Sequence, residues 1–131
     1  MASIPTDLKY TKTHEWLKLE GNTATIGITD FAQGELSDIV YVEVTAVGRQ
    51  VKREEPIGTI EAVKAVSDIY APVAGEVIEG NESLKDSPAT VNHDPYGAGW
   101  IARIKVAGPA ALGGLLDDAA YAEVVKKSVH H

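Results

Sequence analysis

Apolar positions along the chain fall in short alternating or β-branched runs separated by turn residues, the pattern of many short strands. Residues 10–19 contain the first predicted strand, closed by the turn signal Glu20-Gly21-Asn22. Thr23-Ala24-Thr25-Ile26-Gly27-Ile28-Thr29 is a β-branched run and predicts a second strand. Asp30-Phe31-Ala32-Gln33 predicts a capping box that opens a short helix, with Asp30 as the cap and Gln33 reaching back. Ile39-Val40-Tyr41-Val42-Glu43-Val44 predicts a strand, and Val47-Gly48-Arg49-Gln50-Val51 a turn with a short strand. Ile57-Gly58-Thr59-Ile60-Glu61-Ala62 and Val66-Ser67-Asp68-Ile69-Tyr70-Ala71 predict two more, with Val63-Lys64-Ala65 at the reversal between them. Pro72 stops the second of these, because proline cannot donate to a ladder.

Further on, Ala74-Gly75-Glu76 reads as a turn and Val77-Ile78 as the start of a strand. Asn81 is expected to cap a short helix, and Asp94-Pro95-Tyr96-Gly97-Ala98-Gly99 to form a loop. Trp100-Ile101-Ala102-Arg103-Ile104-Lys105-Val106 alternates as a half-buried strand does. The tail then changes character. Residues 110–125 are rich in Ala and Leu, Asp117-Asp118 can cap a last helix, and Gly113-Gly114 weakens the helix before it. The expected fold is all-β dominated: a flattened barrel or sandwich of two antiparallel sheets, with short peripheral helices and a C-terminal helix. One domain is expected over residues 1–131, with its core at about 10–106 and its helical end at about 109–127.

Composition narrows the function. The 131 residues are 44% hydrophobic and 24% charged, enough apolar material for a core without staples. A net charge of −7 argues against nucleic acid and anionic membrane surfaces. No cysteine is present, so thiol chemistry must come from an added group. No apolar stretch is long enough to span a bilayer. The opening Met1-Ala2-Ser3-Ile4-Pro5-Thr6-Asp7 has neither signal-peptide nor transit-peptide character, and Met1 reads as a natural start. His130-His131 at the other end carry no part of the functional reading.

The candidate chemistry centres on Lys64. A lysine on a hairpin tip is usually a solvated charge. Here small apolar residues bracket it and acids flank them, in Glu61-Ala62-Val63-Lys64-Ala65-Val66-Ser67-Asp68, followed by Ala71-Pro72-Val73-Ala74-Gly75-Glu76-Val77. This segment resembles the lipoyl attachment region of the glycine cleavage system H protein family. The resemblance continues, in order, through Tyr10-Thr11-Lys12-Thr13-His14-Glu15-Trp16, Gly27-Ile28-Thr29-Asp30-Phe31-Ala32-Gln33, Val91-Asn92-His93-Asp94-Pro95-Tyr96-Gly97-Ala98-Gly99-Trp100, and Leu115-Leu116-Asp117 with Tyr121. Departures are Ala62 where the family often has Ser, Gly34 in place of a larger residue, and Gly113-Gly114 in a stretch that is usually more charged.

The resemblance implies a carrier rather than an enzyme. Lys64 would bear (R)-lipoate in amide linkage, installed by a lipoate ligase or an octanoyl/lipoyl transferase. The arm would take an aminomethyl group from a pyridoxal-phosphate glycine decarboxylase. It would deliver that group to a tetrahydrofolate-dependent aminomethyltransferase and be reoxidised by dihydrolipoyl dehydrogenase. One flexible arm visiting separate active sites replaces diffusion with local concentration. Carried over residue by residue, the family's protective cleft falls on Glu15, Thr13 and Asp68. A carboxylate and a hydroxyl can each accept from an ammonium group. The absence of a targeting segment fits a bacterial-type cytoplasm, and a mitochondrion only if a transit peptide is missing.

Other carrier and enzyme classes match these residues less well, apart from a lipoate-relaying H-like protein. Biotin carriers flank their lysine with Met, and lipoyl domains of 2-oxoacid dehydrogenases place Asp before it, where this chain has Val63. An H-like protein relaying lipoate to other complexes fits the same residues. An independent enzyme lacks a nucleophile–base set. His14 beside Glu15 suggests acid–base chemistry, but in a strand adjacent side chains face opposite ways. His93 and Asp94 have no metal-ligand spacing with anything else. Gly97-Ala98-Gly99 is not a phosphate loop, and Trp16, Trp100 and Tyr70 read as core or cleft-wall aromatics.

Overall fold

A computed structural model describes residues 3–108 and 112–128. Its strands are β1 (Lys9–Tyr10), β2 (Glu15–Glu20), β3 (Thr23–Ile28), β4 (Ile39–Val44), β5 (Gln50–Val51), β6 (Pro56–Ala62), β7 (Val66–Tyr70), β8 (Gly75–Gly80) and β9 (Ala102–Lys105). The helices are α1 (Asp30–Leu36), α2 (Ser83–Asp86), α3 (Thr90–His93) and α4 (Asp118–Ser128). Two antiparallel sheets result, one ordered β1-β2-β3-β9-β8-β5 and the other β4-β6-β7. The expected two-sheet architecture with peripheral helices and a C-terminal helix is what forms.

Alternation explains the packing. The large sheet turns Leu17, Ala24, Ile26, Val77 and Ile104 inward, and the small sheet answers with Ile39, Val42, Ile57, Ile60 and Ile69. These side chains make one continuous core between the sheets. A second cluster of Leu8, Tyr10, Trp16 and Tyr121 packs α4 onto the β1–β2 corner. Its centre is a stacked pair, Tyr10 on Tyr121, with centroids 4.6 Å apart.

Several expectations shift at element ends. The first predicted strand splits into β1 and β2, because His14 adopts φ 70° and breaks the extended run. The cap of α1 is Thr29 rather than Asp30: the Thr29 hydroxyl accepts from Ala32 N–H at 3.2 Å. Asp30 is the first helical residue, and Gln33 reaches back to it at 2.7 Å. Ala74-Gly75-Glu76 is not a separate turn, since Gly75 and Glu76 already belong to β8 and pair with β9 or β5. Asn81 sits one position before the cap of α2, where its side-chain oxygen accepts from the Ser83 amide and hydroxyl. The helix α3 lies in a stretch for which no element was predicted. The predicted helical tail begins at Asp118, with Asp117 Oδ1 capping Ala120 N–H at 2.8 Å. Residues 112–117 are not α-helical, and the predicted start at 109–111 lies outside the described residues.

Candidate functional site

The β6–β7 hairpin presents Lys64. Its ladder pairs Thr59 with Asp68, Ile60 with Ser67 and Glu61 with Val66. The tip is closed by Ala62 N–H donating to Ala65 C=O at 2.7 Å. It is also braced from the side, by Val63 N–H donating to the carbonyl of Asp38 at 3.0 Å. Asp38 is held in turn by its neighbours. Asn92 accepts from Ile39 N–H at 3.0 Å and donates to Ser37 C=O at 2.8 Å and Gln33 Oε1 at 2.9 Å. The backbone under Lys64 is thus fixed from both strands and from α1 and α3. Lys64 itself is exposed and, among the described residues, makes no hydrogen bond or ion pair. Val63 and Val66 beside it are 67% and 68% exposed, an apolar collar around the lysine.

A cleft opens along β7, the end strand of the small sheet. It is a cavity of about 260 Å³ whose lining includes Thr13, Glu15 and Asp68, the three residues expected to act together. Apolar walls come from Ile28, Phe31, Leu36 and Ile60. Asp68 lies four residues after Lys64, on β7, which begins at Val66.

Glu15 is the unusual member. It is 2% exposed, a depth that carboxylates rarely reach. The hydroxyls of Thr11 and Thr13 both donate to its Oε1, at 2.7 and 2.5 Å. Burial pushes its pKa up to about 7, against the opposing donors Thr13, Thr11 and the Tyr70 amide. Those donors are neutral, so they satisfy the carboxyl without compensating its charge. A cationic group entering the cleft would supply what is missing. Thr13 and Asp68, by contrast, are exposed at the rim.

Sequence reasoning set His14 aside, yet the structure gives it a place in the cleft wall. With φ 70° it is not part of a strand, so the argument from strand alternation does not hold for it. Its ring packs on Phe31 at 4.9 Å between centroids, and its Nδ1 meets the Tyr121 hydroxyl at 2.8 Å. Burial lowers its pKa, opposed by Glu35. Tyr121 and Asn92 were seen only as members of matching blocks, and both prove to hold the site's frame. Trp16 is a core aromatic whose indole N–H donates to Pro95 C=O at 2.9 Å. Trp100 is half-buried, with the Arg103 guanidinium 4.0 Å from its ring centroid.

A small two-sheet domain that offers a lysine on a braced hairpin has the architecture of the lipoyl/biotinyl-type carrier domains. The family model for the glycine cleavage H-protein matches residues 8–128. Glycine cleavage system H proteins from Symbiobacterium thermophilum and Chlorobium limicola are 50% and 56% identical over 127 and 125 residues. The matches cover 97% and 94% of this chain and 99% and 98% of theirs. The crystal structure of a glycine cleavage system H protein from Mycobacterium marinum superposes with a TM-score of 0.85 at 36% identity, covering 96% of this chain and all of the other. The chain belongs to the glycine cleavage H-protein family, the carrier component of that system.

Proposed function

We propose that Lys64 carries a lipoyl group in amide linkage, and that the chain shuttles the aminomethyl group of glycine between separate enzymes. The partners in this reading are glycine decarboxylase, aminomethyltransferase and dihydrolipoyl dehydrogenase, with a lipoate ligase or octanoyl/lipoyl transferase acting on the apo chain. The observation that carries it is the pairing of an unencumbered Lys64 with a cleft that starts on the same hairpin, at Ser67 and Asp68, and is built from apolar walls and one buried acid. The residues fit the group. Acylating Lys64 breaks no ion pair, and the collar of Val63 and Val66 leaves an apolar surface for a modifying enzyme.

When bound, the lipoyl group supplies a dithiolane able to accept the aminomethyl group on sulfur and to be reoxidised afterwards. The chain's own residues do the rest. The hairpin ladder fixes the direction in which Lys64 leaves the surface. Ile28, Phe31, Leu36 and Ile60 exclude water from whatever occupies the cleft. Glu15 and Thr13 accept from the ammonium group, and Asp68 closes the rim. Capture needs the Glu15 carboxylate, so the proton it holds in the empty cleft is released to bulk water as the ammonium charge takes its place.

Intact mass before and after incubation with a lipoate ligase tests the attachment. Wild type gains one lipoyl increment and Lys64→Arg gains none. An increment on Lys64→Arg refutes the assignment. For the cleft, Glu15→Ala and Asp68→Ala should speed release of formaldehyde and ammonia from the loaded protein. Unchanged release in both removes the protective role.

A further inference from the structure

One hydroxyl ties together both walls of the cleft. Tyr121, on α4, is fully buried. Its oxygen lies 2.8 Å from His14 Nδ1 and 2.6 Å from Thr29 Oγ1. His14 belongs to the wall that carries Thr13 and Glu15. Thr29 caps α1, which supplies Phe31, Ala32, Glu35 and Leu36 to the opposite wall. The far end of α4 returns to the same cavity, where Ser128 is part of the lining. We infer that α4 is a clamp on the cleft, and that the Tyr121 hydroxyl is the positioning group that sets the spacing of its two walls.

Proton accounting gives the clamp a direction. Thr29 Oγ1 accepts from Ala32 N–H, and among the described residues the Tyr121 oxygen is the acceptor within reach of its own proton. The Tyr121 proton then goes to His14 Nδ1. This ordering, which gives each hydroxyl proton an acceptor, fixes His14 as the neutral tautomer with its proton on Nε2. It also holds His14 in its left-handed conformation, which places the 11–15 turn. The consequence for the carried group rests on the reading proposed above: a looser clamp lets water reach the ammonium-bearing arm.

Tyr121→Phe removes the hydroxyl and keeps the ring stacked on Tyr10. Amide hydrogen exchange in the unmodified full chain should then quicken about tenfold at residues 11–15 and 35–36 together, the effect of one internal hydrogen bond lost at each wall. Ile104→Val, a core variant outside the cleft lining, controls for general loss of stability. Its exchange should rise evenly and leave the ratio between cleft walls and core unchanged. The ring ¹⁵N signals of His14 should move from one tautomer in wild type to a mixture in Tyr121→Phe. On the loaded protein, release of the aminomethyl group should quicken by a similar factor. Exchange that rises evenly through Tyr121→Phe, or an unchanged His14 tautomer, overturns the clamp. A wild-type carrier that protects its load no better than free lipoamide overturns the protective cleft instead, while exchange and ¹⁵N shifts still decide the clamp.

Discussion

The hydroxyl of Thr13 donates to the carboxyl of Glu15 from two residues away, and it does so across a turn rather than along a strand. The turn brings the pair together, and burial then makes the acid reluctant to ionise, with a pKa near 7 in place of 4.5. The sign of the pH effect follows. Between pH 4.5 and 7 the folded chain binds the Glu15 proton and the unfolded chain has largely lost it. The Glu15 contribution is therefore complete below pH 4.5 and declines as pH rises through 7. At about 1.4 kcal/mol per pH unit, the loss is of order 3 kcal/mol. Glu15→Gln mimics the protonated acid and should flatten this slope. Urea melts at pH 5 and pH 8 should converge for the variant and diverge for wild type. Equal divergence in both proteins would show that Glu15 does not titrate in this range.

Asn92 is the keystone beneath the lysine. Its side chain satisfies Ile39 N–H, Ser37 C=O and Gln33 Oε1 at once. Asn92→Ala leaves partners in a half-buried seam without theirs, which should cost about 1–3 kcal/mol. The loss should also reach the hairpin, because the Asp38 carbonyl that braces Val63 lies between two of those groups. Faster exchange at the Val63 amide, beyond the global change, is the expected signature. A Val63 amide as slow as in wild type would mean that the brace stands without Asn92.

Trp16 lies over Gly27, its partner across the β2–β3 ladder. A Cβ on Gly27 would meet the indole Nε1 at 2.7 Å. Gly27→Ala should therefore cost about 1–3 kcal/mol through overpacking, and Trp16→Phe should recover part of it. A double-mutant cycle by urea denaturation measures the coupling. Additive effects would mean the indole moves aside freely.

The parts of the site set by local sequence were legible. Two β-branched runs around Val63-Lys64-Ala65 specify a hairpin, and Lys64 sits on it as expected. The cleft acids came from an ordered family resemblance rather than from periodicity. The break at His14 was not legible, and the ring of His14 meets a partner, Tyr121, that lies 107 residues away. Thr29 and Asp30 are both good caps, and the structure chooses Thr29, the one that Tyr121 touches. Gly75 reads as turn punctuation, yet its role is close approach: a Cβ there would lie 2.3 Å from the Lys105 carbonyl oxygen. In each case the structure adds a contact from far along the chain that no local pattern shows.

Gly34 tests the reverse situation, a local preference that nothing distant opposes. It lies inside α1 on an exposed face, with no atom within 4 Å of where a Cβ would stand. Glycine there costs helix stability through backbone entropy, so Gly34→Ala should stabilise the protein by about 0.5–1 kcal/mol. The gain should appear as a higher urea midpoint with an unchanged slope. α1 forms one wall of the cleft through Phe31, Ala32, Glu35 and Leu36. A firmer helix should thus slow release of the carried group, or leave it unchanged, and should not speed it. A stabilised variant that releases its load faster would show that the cleft depends on α1 being loose.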